Sequence, residues 1–234
     1  ELSGGSGVTD ADSIPLPDLS ESFDALMAND SGINAIENNI TLWLDSNNID
    51  RKNNSTISDG QAIDTWFNLV DEANEMVASG GSGSITYSAS EGAMFLNEKG
   101  MKNEVPVDMK TVVIAHKLLS DSITGAYLID IRDMMSLSFA AYVFDGSSTS
   151  YNHLGSWVKG MSINGDALSQ SELDGFNAKT RVFNDTFQIT VIEANDFVSA
   201  PLHLLERFNE VAQGKGYIYE EYYAHLNNGP GNKN

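Results

Sequence analysis

Between residues 179 and 216 the chain changes its hydrophobic rhythm from a period of two to a period near that of a helix, and that switch constrains the fold most. Phe183, Phe187, Ile189 and Val191 lie on even spacings, with Gln188 and Thr190 between them. Even spacing sends side chains to one face of a strand. The pattern therefore predicts a half-buried strand, its apolar set on a core and Gln188 and Thr190 toward water. Residues 193–196, Glu-Ala-Asn-Asp, predict a turn. Ser199 suits a helix N-cap, and Pro201 suits the first helical turn, where its missing N–H is not needed. Leu204, Leu205, Phe208, Val211 and Ala212 then fall on one helical stripe, ended by Gly214 and Gly216. The expected unit is a strand, a turn and a helix lying back on the sheet.

Upstream, Ser20 or Ser22 can cap a short helix reaching Met27, and Ile33, Ile36, Ile40, Trp43 and Leu44 make a helical stripe. After a polar loop at 45–58, Ser58 and Gln61 have capping-box spacing. Ile63, Trp66, Phe67, Val70, Ala73, Met76 and Val77 continue that stripe. Two such helices predict an αα-hairpin. Residues 84–90 alternate as a strand does, and 97–106 read as turn and loop. Residues 107–119 and 125–146 fit either helix or strand by periodicity, and 137–144 are assigned to a strand. Residues 156–165 predict a strand closed by the Asn164-Gly165 turn, and 217–223 a last strand. The expected fold class is α+β: an N-terminal helical hairpin, then a mixed sheet, barrel- or sandwich-like, with a helix packed on it. The expected organisation is a flexible arm at 1–20, a helical subdomain at 21–80, an α+β domain at 84–226 and a flexible tail at 227–234.

The 33 acidic and 13 basic side chains among 234 residues give a formal charge of −20. Nucleic acid and anionic membranes bind concentrated positive charge, so neither is expected as a direct partner. No apolar run reaches the roughly 18 residues of a membrane span. Cysteine is absent, which removes disulfides, thiol chemistry and cysteine-bound zinc. Glu1 as the first residue suits a removed leader or a trimmed chain.

No motif announces catalysis, and neither a cofactor nor a metal is expected. The four histidines, His116, His153, His203 and His225, form no spaced ligand pair. His203, Glu206 and Arg207 read as a surface cluster on the expected helix. The segment from Asp45 opens like a calcium loop but lacks the glycine at its sixth position, and Thr56 stands where the loop's final glutamate belongs. Ser156 and Lys159 have S-x-x-K spacing without the companion motifs of acyl-transferring enzymes. The glycine runs at 4–7 and 80–83 read as linkers, and the sequons at Asn29, Asn39, Asn53, Asn54 and Asn184 follow from the Asn, Ser and Thr content.

Within residues 179–212, Arg181, Phe183 and Asp185, the alternating strand, the acidic-Asn turn and the amphipathic stretch with Phe208 resemble the tail-tube proteins of contractile phages and related injection machines. The resemblance implies a β-barrel-like subunit in stacked six-membered rings around a channel. It covers about thirty residues, and this chain has only residues 217–234 where the family continues with several strands. The expected function is a non-enzymatic structural subunit of a virion or other large oligomeric assembly, such as a tail, tube, neck or capsid-associated component. Its expected location is the virion or the extracellular space, and its expected partners are copies of itself or other structural subunits. Candidate contact residues are Leu16, Pro17 and Leu19 in the arm and Tyr217, Tyr219, Tyr222 and Tyr223, since tyrosine joins an apolar ring to a hydrogen-bonding end. The alternatives are a secreted or cell-surface acidic binding module and a hydrolase whose site assembles only in space.

Overall fold

Twelve consecutive residues rich in Val, Ile and Met, Val107–Leu118, form the central strand of the protein. The structure is a computed structural model and describes residues 40–71, 73–121, 128–130, 142–143, 158–174, 181–182, 184–206 and 214–224. In chain order its strands are β1 (Ile40–Asp45), β2 (Thr65–Trp66), β3 (Met76–Ala78), β4 (Ser84–Ser88), β5 (Ala93–Asn97), β6 (Met101–Asn103) and β7 (Val107–Leu118). They continue with β8 (Ile129–Asp130), β9 (Tyr142–Val143), β10 (Val158–Ile163), β11 (Asp166–Ala167), β12 (Gln188–Ala200), β13 (His203–Leu204) and β14 (Lys215–Ala224). One five-residue helix, α1 (Gln170–Asp174), lies between β11 and β12.

The larger sheet runs β11-β10-β12-β7-β14-β5-β4, and β1 also pairs with β14. All its pairings are antiparallel. Along one edge β14 meets β7; along the other its first half meets β5 and its second half meets β1. The smaller sheet runs β2-β3-β6-β13-β8-β9. One core joins the two sheets, gathering Leu42, Met94, Val112, Ile114 and Ile192 from the larger and Trp66, Met76, Met101, Leu204 and Ile129 from the smaller. Burial of these side chains is the main stabilising term, since each is worth roughly 1.5–3 kcal/mol relative to exposure.

The fold is therefore mostly β, and among the described residues the expected helical hairpin is replaced by strands. Ile40, Leu42 and Leu44 are buried and alternate with partly exposed Thr41, Trp43 and Asp45, which is strand periodicity. Residues 58–77 hold turns, β2 and one strand-forming part of β3 where a long helix was expected. Ile33 and Ile36, like the short helix ending at Met27, lie outside the described residues. Asn68, fully buried, explains how the segment after β2 satisfies β1 without becoming a strand. Its Oδ1 accepts from the N–H groups of Trp43 (2.9 Å) and Val70 (3.0 Å), and its Nδ2 donates to the Thr41 carbonyl (3.3 Å). The side chain replaces backbone partners that β1 would otherwise lack.

The helix expected after Ser199 is also corrected. Strand β12 passes through the expected turn at 193–196 and continues to Ala200, and His203–Leu204 is strand. The acidic-Asn run is a bulge: between the pairs Glu193↔Thr111 and Val198↔Met109, five steps on β12 match two on β7. Phe208, Val211 and Ala212 lie outside the described residues, as do 137–141 and 144 of the region assigned to strand at 137–144, whose Tyr142–Val143 is strand. Other expectations agree with the structure. Residues 84–88 are β4, and Asn164 and Gly165, with φ of 53° and 87°, make the two-residue turn joining β10 to β11. The segment 217–223 is strand, but an interior one.

Candidate functional site: the second face of the large sheet

The register of β12 inverts the polarity expected for it. Gln188 (7% exposed), Thr190 and Ile192 point into the shared core, while Phe187, Ile189 and Val191 belong to the opposite face and are half-buried. Gln188 and Thr190 lie opposite His116 and Ile114 on β7, and the His116 imidazole Nε2 lies 2.9 Å from Thr190 Oγ1. A polar partner inside the core thus holds the polar side of β12 inward and turns its apolar side out.

That second face is organised around Glu91, in the turn between β4 and β5. The Tyr219 hydroxyl donates to Glu91 Oε2 at 2.7 Å, and Lys117 Nζ donates to Oε1 at 3.0 Å. Lys117 also lies over the Tyr217 ring, 5.4 Å from its centroid. The Tyr217 ring packs on Phe95 at 4.8 Å, and Phe187 meets Tyr219 edge-on at 5.0 Å. Ala93, Ala115 and Ile189 fill between these rings. Burial raises the Glu91 pKa, but hydrogen bonds from Tyr219 and Lys117 outweigh it and leave it below the ordinary value. Burial and the adjacent carboxylate raise the Tyr219 phenol. The centre of the face therefore sets aromatic and aliphatic side chains around one charge pair, with a second pair, Lys159–Glu193, farther along β12, an arrangement suited to contact with a surface.

A second polar cluster lies on the smaller sheet. Glu206 is fully buried; its Oε1 lies 2.7 Å from His203 Nδ1, and its Oε2 accepts from the Gly80 N–H at 2.7 Å. A Cβ on Gly100 would stand 2.4 Å from Glu206 Cβ, so glycine is what lets the carboxylate reach this position. The surface cluster expected for His203 and Glu206 is thus a buried pair on and beside a strand, with both carboxylate oxygens engaged. Arg207 lies outside the described residues.

The remaining sequence candidates can be placed. Tyr217 and Tyr219 join the second face. Tyr222 and Tyr223 take backbone positions opposite Trp43 and Leu42 on β1 and opposite Val113 and Val112 on β7. Leu16, Pro17, Leu19, Ser156, His153 and His225 lie outside the described residues. The loop from Asp45 spends its side-chain oxygens on itself. Asp45 Oδ1 accepts from Asn47 N, Asp50 Oδ1 from Lys52 N and Asn54 N, and Asn54 Oδ1 from Ile49 N. Burial raises the Asp50 pKa, but hydrogen bonds from the Lys52 N–H, the Thr56 hydroxyl and the Asn54 N–H outweigh it and leave it below its ordinary value. Arg51, Asn53 and Asn54 adopt positive φ there, so the loop is a chain of Asn- and Asp-stabilised turns. Among the described residues no group of three His, Asp or Glu side chains could hold a metal ion. Lys159 is exposed, 3.8 Å from Glu193. Asn184 accepts from Thr186 in a turn before β12.

Sequence reasoning missed Glu91, Lys117, Phe95 and the role of Phe187, because the contacts that unite them join residues up to 128 positions apart. No described helix is long and apolar enough to cross a membrane. Compared with known protein families, curated proteins and solved structures, the chain matches none.

Proposed function

We propose that this protein is a non-enzymatic structural subunit of a virion or other large oligomeric assembly, and that the second face of its large sheet is where another copy of the chain packs. The observation that carries this reading is the inversion of β12, which directs Phe187, Ile189 and Val191 away from the shared core and beside Phe95, Tyr217 and Tyr219. Half-buried aromatic and aliphatic side chains fixed on a stiff sheet suit a self-associating surface, because little side-chain freedom is lost on contact. The His203–Glu206 pair does not favour the hydrolase reading, since His203 and Gly80 already occupy both carboxylate oxygens.

A charge of −20 on every copy opposes association, and salt screens that repulsion while leaving apolar contact intact. Light scattering coupled to size-exclusion chromatography tests the reading. Defined oligomers should grow in population from low to high ionic strength, and Ile189→Ser should reduce them while leaving the monomer folded. A strict monomer at high concentration in both salts overturns it.

A further inference from the structure

The core of the large sheet contains a buried imidazole that has no countercharge among the described side chains. His116 is fully buried, and the register places it opposite Gln188 on β12 and Ile218 on β14. Its Nε2 meets Thr190 Oγ1, while its Nδ1 has no hydrogen-bond partner among the described residues. The paired Gln188 donates from Nε2 to the Arg181 carbonyl at 2.8 Å, and its Oε1 is likewise without a partner among the described residues.

Among the described side chains, the charged groups around this position are directed elsewhere. Lys117, next on β7, is bound to Glu91 on the second face. Arg181 is exposed and bound to Glu172 at 2.9 Å, and Asp185 is exposed and bound to Ser120. On β14, His116 is opposite Ile218, Glu220 takes the register position of Ala115, and Glu221 takes that of Ile114, two residues from His116 on the same face of β7. From β12 the ring meets only the neutral Gln188 and Thr190.

We propose that His116 is an acid-sensitive trigger in the large sheet: the fold accepts only its neutral form, and protonation on acidification loosens the junction of β7 with β12 and β14. The physical cause is burial. It lowers the imidazole from its ordinary 6.5 to about 3 in the folded chain. Between those values the unfolded chain holds one more proton than the folded chain, so stability falls as pH drops through that window and is fully present above it. The inference holds whether or not the chain assembles.

Equilibrium unfolding by denaturant at pH 7.5 and pH 5, for the wild type and for His116→Gln, tests the proposal above the range where ordinary carboxylates titrate. The wild-type unfolding constant should rise about 30-fold more than that of the variant over this interval. Equal changes in the two proteins overturn the proposal. If His116→Gln does not fold, nitrogen NMR of the histidine-labelled wild type decides: a neutral His116 ring at pH 5 in the folded protein supports it, and an imidazolium there overturns it.

Discussion

The Tyr219 phenol and the Glu91 carboxylate are joined by a 2.7 Å hydrogen bond across 128 residues of sequence, tying the interior strand β14 to the turn between β4 and β5. Removing the hydroxyl alone, in Tyr219→Phe, leaves Glu91 with Lys117 and keeps the edge contact with Phe187. The loss should be about 1–2 kcal/mol, since the acceptor is charged and partly buried. A double-mutant cycle with Glu91→Gln, read by urea unfolding, should show coupling between the two sites; additive effects would mean that the bond contributes nothing.

Asn68 should be among the most sensitive polar positions. Replacing it with Ala strips partners from the N–H groups of Trp43 and Val70 and from the Thr41 carbonyl. The expected cost is about 3 kcal/mol, because buried backbone groups would lose partners at an already buried site. Thermal unfolding measures it, and a melting temperature within a degree of the wild type would contradict the role given to this amide.

Gly100→Ala should be destabilising by about 2–3 kcal/mol, because its Cβ would stand 2.4 Å from Glu206 Cβ in a packed region. Gly60→Ala is the contrasting control. Nothing lies within 4 Å of its Cβ, and only its φ of +72° opposes the change. Comparing the two separates crowding from backbone strain, and equal losses would count against crowding at Gly100.

Acidification should also release α1. Glu172 accepts from both the N–H and the hydroxyl of Ser169 and from Arg181, and these contacts hold its carboxyl at about 2. A carboxylate lowered in the folded state contributes stability above its unfolded pKa and loses it as pH falls toward its folded one. The loss from Glu172 therefore runs from about pH 4.5 down to about pH 2. Carbon NMR of the side-chain carboxyl reads this directly, and titration at the ordinary value would show that the cap does not hold in solution.

These sites explain which parts of the fold were legible in the sequence. Asn164-Gly165 was readable because a tight turn is chosen by two residues alone. Strand β1 was misread because Ile40, Trp43 and Leu44 fit a helical stripe, whereas the buried set is Ile40, Leu42 and Leu44. In β7 the buried positions shift phase, from Val107 and Met109 to Val112, Ile114 and Leu118, at the place where the β12 bulge interrupts the ladder. A single period cannot describe a strand whose phase changes midway. The inward turn of Gln188 and Thr190 was hidden because its cause, His116, lies 74 residues from Thr190. The second face was hidden for the same reason, as its residues meet only after four strands align.

Because β14 is an interior strand, β7 cannot be zipped on both sides until residues 215–224 have been synthesised. On the ribosome the nascent chain must carry an unpaired Val- and Ile-rich edge from Leu118 until Lys215 has been added, which makes vectorial folding of this protein a late and collective event.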